Sequence, residues 1–339
     1  MRQRPGDPGD TRVESVPVGS GGNGAGPRPC VSHSVDPLRS AVVFGTVGDL
    51  VEDVVVHLAG PINVAADTDA VVIRRRGGSA ANAAVAAARA GAAARFIGQV
   101  GDDSTGAALI ETLKAERVEV VARRRGRSGA IVVLVDETGE RTMLSDRATC
   151  PGLDDPDPAW LDGLTVLHVP TYSLTEGTLA ATSEQLVRWC HERGIKVSID
   201  ASSTSVMTRY GIDRLVALYL RLRPDVLLCN QDEGACLGGR LDPTDEGVGV
   251  GAGLVIVKHG RDPAVVMEPG RPPYEVPVPP LEHVGDTTGA GDSFAAGFLI
   301  EWTAGVPVGD AVAAGHRTAA ATIGRVSCNN PSDTLPPDI

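Results

Sequence analysis

Asp286-Thr287-Thr288-Gly289-Ala290-Gly291-Asp292-Ser293-Phe294 is the stretch on which the reading of this chain turns. Its Gly-Ala-Gly turn enters a helix whose apolar positions continue at Phe294, Phe298 and Ile300. The N–H groups of such a first turn converge on one spot, and the helix dipole adds partial positive charge there, which suits a phosphate. Asp292 sits in that turn, placed to take a proton from an attacking hydroxyl. For a lone Gly-x-Gly-Asp a plain N-cap would be the better reading. The longer context favours the anion hole.

Moving outward, Gly77-Gly78-Ser79-Ala80-Ala81-Asn82 opens an Ala-rich helix that stops near Gly91, and Gly98-Gln99-Val100-Gly101-Asp102-Asp103 follows. Paired glycines let a ligand approach the backbone, and Asn82 offers sugar hydroxyls both a donor and an acceptor. Close packing of the helix on a sheet accounts for Ala83 to Ala90 but leaves Asn82 unexplained. Nearer the start, Gly48-Asp49-Leu50-Val51-Glu52-Asp53 ends the first strand with three carboxylates. Asp53, where an extra strand begins, is positioned to accept hydroxyl hydrogen bonds. Asp49 and Glu52 read as solvated.

From Ala41 onward, short β-branched runs alternate with Ala-rich or amphipathic stretches, the pattern of a largely parallel sheet with helices on its faces. Buried strands are expected at Ala41–Thr46, Arg95–Val100, Thr165–Val169, Lys196–Asp200, Asp225–Cys229 and Leu254–Lys258. Helices are expected at Ser79–Ala90, Ser104–Ala115, Thr175–Glu192, Gln231–Leu237, Ser293–Thr303 and Gly309–Ile323. Val54–Leu58, Ala70–Arg74, Ala130–Val135 and Arg141–Ser145 fall outside this alternation and read as a small projecting sheet.

Residues 1–38 hold seven Gly and six Pro and no sustained apolar period, so a disordered tail is expected there, with a short free tail at 333–339. A net charge of -12, from 31 Lys+Arg and 43 Asp+Glu, argues against nucleic acid as partner. No apolar run approaches the ~20 residues needed to cross a bilayer, so no membrane role is expected. Six cysteines without a C-x-x-C pair read as reduced thiols in a cytoplasmic protein.

Together the three glycine- and carboxylate-bearing runs resemble the PfkB, or ribokinase-like, family of sugar and nucleoside kinases, across about residues 41–332. The resemblance implies a three-layer α/β sandwich, a mostly parallel central sheet flanked by helices, spanning 39–332 with a β lid at about 53–76 and 128–147. It implies that Asp292 is the catalytic base, that Gly289, Ala290 and Gly291 form the anion hole, and that Asp53, Gly78 and Asn82 bind substrate. Asn230-Gln231-Asp232-Glu233 is similar to the family's Asn-x-x-Glu motif, with Glu233 holding Mg2+ through water; a strand-end Asn with a solvated Glu is the plainer alternative. Gly260 matches a nucleotide-loop glycine, and Thr288 a nucleotide contact. ATP and Mg2+ are the implied cofactors. Asp286 and Thr288 fit half of a K+ site, and the lid implies a homodimer contact.

The chain departs from the family pattern at Lys258-His259-Gly260, where many members have Thr-x-Gly. Lys258 then serves either as a point charge on ATP phosphate or as a plain surface lysine. His316 reads as a helix-surface residue rather than an adenine contact. The expected activity is ATP-dependent phosphorylation of a hydroxymethyl group on a sugar-like molecule. A nucleoside kinase and an inactive sugar or nucleotide binder are the alternatives, and no Phe, Tyr or Trp in either lid segment favours sugars. Arg74-Arg75-Arg76 before Gly77 presents a further choice between solvated edge residues and a grip on an anionic substrate, with Arg74 and Arg76 on one strand face and Arg75 on the other.

Overall fold

The computed structural model describes residues 41–244, 247–280 and 287–328, with side chains to 323. The six expected buried strands are β1 (Val43–Val47), β4 (Ala93–Val100), β8 (Val166–Pro170), β9 (Lys196–Asp200), β10 (Val226–Asn230) and β11 (Leu254–His259). Three more, β5 (Val118–Arg124), β12 (Asp262–Met267) and β13 (Tyr274–Val276), complete a nine-stranded sheet. Its order is β13-β12-β11-β10-β9-β8-β1-β4-β5, parallel from β5 to β11 and antiparallel at β12 and β13.

Side-chain alternation builds two cores from these strands. Val226, Leu228 and Ile256 join a cluster with α1 (Ser79–Arg89), α2 (Ser104–Ala115), α7 (Ala290–Thr303) and α8 (Val308–Cys328). Leu227, Cys229, Val255 and Val257 join another with α3 (Gly177–Arg193), α4 (Thr204–Tyr210), α5 (Ile212–Leu222) and α6 (Gln231–Leu237). Strands covered on both faces read as continuous apolar runs, which is why they were visible in the sequence. The alanines of α1 that enter the core keep it close to the sheet.

β2 (Val51–Leu58), β3 (Ala70–Gly77), β6 (Ala130–Val135) and β7 (Arg141–Asp146) form a second sheet, ordered β3-β2-β6-β7, at the positions read as extra strands. β7 is exposed along its whole length. Cys150, Cys190, Cys229 and Cys236 are free thiols. No helix among the described residues is long and apolar enough to cross a membrane. The 1–38 and 333–339 tails lie outside the described residues.

Candidate active site

β9, β10 and β11 bring Asp200, Asn230 and Lys258 to the same edge of the sheet, with Asn230 beside Lys258 in the β10–β11 register. Lys258 Nζ lies 2.9 Å from Asp200 Oδ2, and the two side chains are only 15% and 13% exposed. Lys258 is therefore no surface lysine. Its ammonium stands 5.7 Å from the centre of the Phe294 ring and 3.7 Å from where a Cβ on Gly291 would be, beside the first turn of α7. Burial works against both charges, but each stabilises the other: Lys258 is held above its ordinary pKa, and Asp200 below its own.

Glu233 has a defined place on this edge. It closes a capping box at the start of α6, with Asn230 N donating to its Oε2 at 2.8 Å and Ser203 N to its Oε1 at 2.8 Å. A solvated Glu does not describe it, because it is buried and both oxygens accept backbone bonds. Ser203 makes its bond from a left-handed backbone, φ 87, that a non-glycine residue rarely holds without such support. Burial and the nearby Asp200 charge raise the Glu233 pKa.

α7 begins at Gly289, whose left-handed φ of 76 turns the chain into the helix. The Ala290 amide donates to the Thr287 carbonyl at 3.1 Å, so within the expected Gly289-Ala290-Gly291 hole that group is already engaged. The amides of Gly291 and Asp292 are the first-turn donors that the helix itself leaves unmatched. Asp292 Oδ1 accepts from Ser79 Oγ at 2.6 Å, and its carboxylate also bonds the Asn82 side chain. Asn82 Oδ1 in turn accepts from Arg76 Nη1 at 2.8 Å. Burial pushes Asp292 up to about 6, Asp200 adds to the rise, and the bonds from Ser79 and Asn82 oppose it. A carboxyl titrating there is mostly ionised at neutral pH and still basic enough to accept a proton.

On the other side of α7 lies a cavity of about 630 Å³, lined by Asp53, Asn82, Thr288 and Gly289 of the expected set, together with Arg75 and Arg76. Asp53 folds its carboxylate against Gly77, leaving no room there for a Cβ, which would fall 2.0 Å from Oδ1. Gly78, at φ 100, lets the backbone pass so close to Asp49 that a Cβ would meet its carbonyl oxygen at 2.2 Å. The lid reaches the helix through Arg141, which donates to Thr288 Oγ1 at 2.7 Å.

Several expectations change. Asp49 is not solvated: Arg147 grips both its oxygens at 2.7 and 2.9 Å and also holds Glu176, fastening the lid to the β1–β2 connection. Arg75 and Arg76 both line the cavity, while Arg74 bonds Glu52, the residue opposite Arg76, at 2.6 Å, so Arg74 and Arg76 share a strand face as expected. His316 is buried rather than on the helix surface, 5.0 Å from the Phe294 ring, and its pKa is lowered by desolvation. Gly260, at φ 66, forms the β11–β12 turn. Asp286 lies outside the described residues. Sequence reading missed Ser79 and Asp200; an acidic residue closing the apolar run Val197-Ser198-Ile199 was the signal for Asp200.

Comparison with known proteins bears on the family and the fold. A profile described as pfkB family carbohydrate kinase matches residues 39–335. An ATP-dependent ribose-1-phosphate kinase from Halopiger xanaduensis is 32% identical over 237 residues, 68% of this chain and 75% of its own. Adenosine kinase from Sinorhizobium meliloti superposes with a TM-score of 0.71 at 22% identity, over 84% of this chain and 94% of its own. Arabidopsis thaliana ribokinase complexed with ribose and ATP does so at 0.69 and 20% identity, over 84% and 93%. These two structures share the fold. With its match running through nearly the whole folded region, this chain belongs to the pfkB family of carbohydrate kinases.

Proposed function

We propose that the protein transfers the γ-phosphoryl group of ATP to a hydroxymethyl group of a sugar, with Asp292 as the base. One observation carries this reading: the Asp292 carboxylate stands at a helix N-terminus, with the Asp53- and Asn82-lined cavity on one side and Lys258 on the other. The sugar lies against Asp53 and Asn82 at the Gly78 turn, and the ATP phosphates lie along Asn230, Lys258, Gly260 and the first turn of α7. As the hydroxyl oxygen bonds to the γ-phosphorus, its proton passes to Asp292 and the bond from phosphorus to the β–γ bridging oxygen breaks, releasing ADP. First-turn amides of α7 and the Lys258 ammonium face the charge that spreads over the transferring group.

Among the described residues no three His, Cys, Asp or Glu side chains cluster to cage a metal. In this reading Mg2+ would be held chiefly by ATP phosphates and water, the ion's usual habit, with Glu233 as an outer-sphere anchor. Bound there, the ion would neutralise phosphate charge. The lid exposes Val72 and Leu144, both at 56%, on one face of its sheet, apolar surface that a homodimer would cover, and sedimentation at rising concentration tests it.

ADP release with a panel of sugars and nucleosides tests the main reading. Turnover on at least one sugar, lost in Asp292→Asn, is the expected result. Turnover on nucleosides alone would move the substrate class, and none on any acceptor would leave a binding protein.

A further inference from the structure

The cavity beside Asp292 carries a charge that the reaction does not require. Its ionisable lining is Arg75, Arg76, Arg89 and Arg317 against Asp53 and Glu301, four positive groups to two negative, in a chain whose net charge is -12. Arg89 is neutralised by Glu116, which takes two of its N–H groups. Arg76 differs. It is half-buried, and its one side-chain hydrogen bond among the described residues goes to the neutral Asn82 amide. Desolvation and the nearby Arg89 charge lower its pKa, against the opposing pull of Glu116, Asp292 and Asp53, and a further anion beside it would favour its charged form.

Its location sets what that anion is attached to. Arg76 Nη1 donates to Asn82 Oδ1 at 2.8 Å, and the Asn82 side chain adjoins the Asp292 carboxylate, so a single amide side chain stands between the guanidinium and that carboxylate. A sugar with its reacting hydroxymethyl at Asp292 therefore reaches Arg76 with its far end. Guanidinium is the side chain whose planar fork matches carboxylate and phosphate oxygens.

We infer that the acceptor is an anionic sugar, its carboxylate or phosphate held by Arg76 with Arg75 beside it in the cavity. The inference rests on the phosphoryl-transfer reading for the orientation of the sugar, but the anion subsite itself can be tested without ATP. Calorimetric binding of gluconate, fructose 6-phosphate and fructose to the full-length protein, in wild type, Arg76→Gln and Arg76→Lys, decides it. At least one anion should bind roughly ten- to a hundredfold tighter than fructose. Gluconate and fructose 6-phosphate separate carboxylate from phosphate. The preference should weaken with added salt, disappear in Arg76→Gln and survive in part in Arg76→Lys. Should Arg76→Gln fail to fold, the lysine variant still reports loss of the planar fork. Fructose binding as tightly as both anions, or a preference unchanged in Arg76→Gln, overturns the inference. Anion binding without ADP release from any acceptor would sustain the subsite and refute the phosphoryl-transfer reading alone.

Discussion

Lys258 and Arg76 flank the same helix start, and the protein treats their charges in opposite ways. Lys258 is buried against Asp200, a carboxylate supplied by the neighbouring strand edge, so its position is fixed before any ligand arrives. Arg76 is bonded to an amide and sits in a cavity whose own carboxylates do not balance its arginines. On the proposed reading, the nucleotide side thus offers a preset charge for a cosubstrate that is always anionic. The sugar side offers one whose value depends on which acceptor comes.

Breaking the carboxylate between the two sides should have the largest effect. Asp292→Asn is expected to lower turnover by roughly 10² to 10⁴, the worth of a positioned base, with ATP binding retained. Its melting temperature at pH 7 should not fall. The folded-state value near 6 lies above the unfolded 3.8, so between those values the native state binds more protons and stability declines as pH rises; removing the charge relieves that cost. Loss of both activity and stability would instead make Asp292 a structural residue.

Lys258→Met should leave Asp200 buried without its partner and cost about 3–5 kcal/mol in urea denaturation. Adding Asp200→Asn should restore most of that stability while the KM for ATP stays raised. If the double variant also regains normal ATP affinity, Lys258 belongs to the fold and not to the phosphate site.

A smaller effect is expected on the sugar side. Asp53→Ala removes a charge-assisted bond to substrate, about 1.5–3 kcal/mol, or roughly ten- to a hundredfold in kcat/KM for the sugar with KM for ATP unchanged. Equal losses for both substrates would erase the division between the two sides. Arg74→Ala should change least: its exposed pair with Glu52 is worth at most about 1 kcal/mol, and sugar kinetics should move by no more than a few-fold.

What the sequence disclosed follows from how locally each feature is encoded. The Gly-Ala-Gly-Asp turn and the Gly-Gly-x-x-x-Asn stretch carry their geometry within a few residues, and so do the doubly buried strands. Edge strand β5 was missed because Glu119, Arg123 and Arg124 break its apolar run, while β12 and β13 pair antiparallel and are short. Asp200, Ser79 and the cavity-facing turn of Arg76 depend on contacts across 58, 213 and 6 positions of chain, respectively. The usual state of a lone helix histidine suggested a surface position for His316, which Phe294, from the preceding helix, in fact covers. Such partners are set by packing between elements, which no local pattern specifies.

As the proposed base, Asp292 must be ionised for the sugar hydroxyl to lose its proton. The pH profile of kcat/KM for the best sugar, at saturating ATP, tests it directly. With the carboxyl pushed up to about 6, activity should be level above pH 7 and fall about tenfold per unit below 6, as the base becomes protonated. A profile that stays level down to about pH 4.5, where such a base would be almost wholly protonated, would contradict the account.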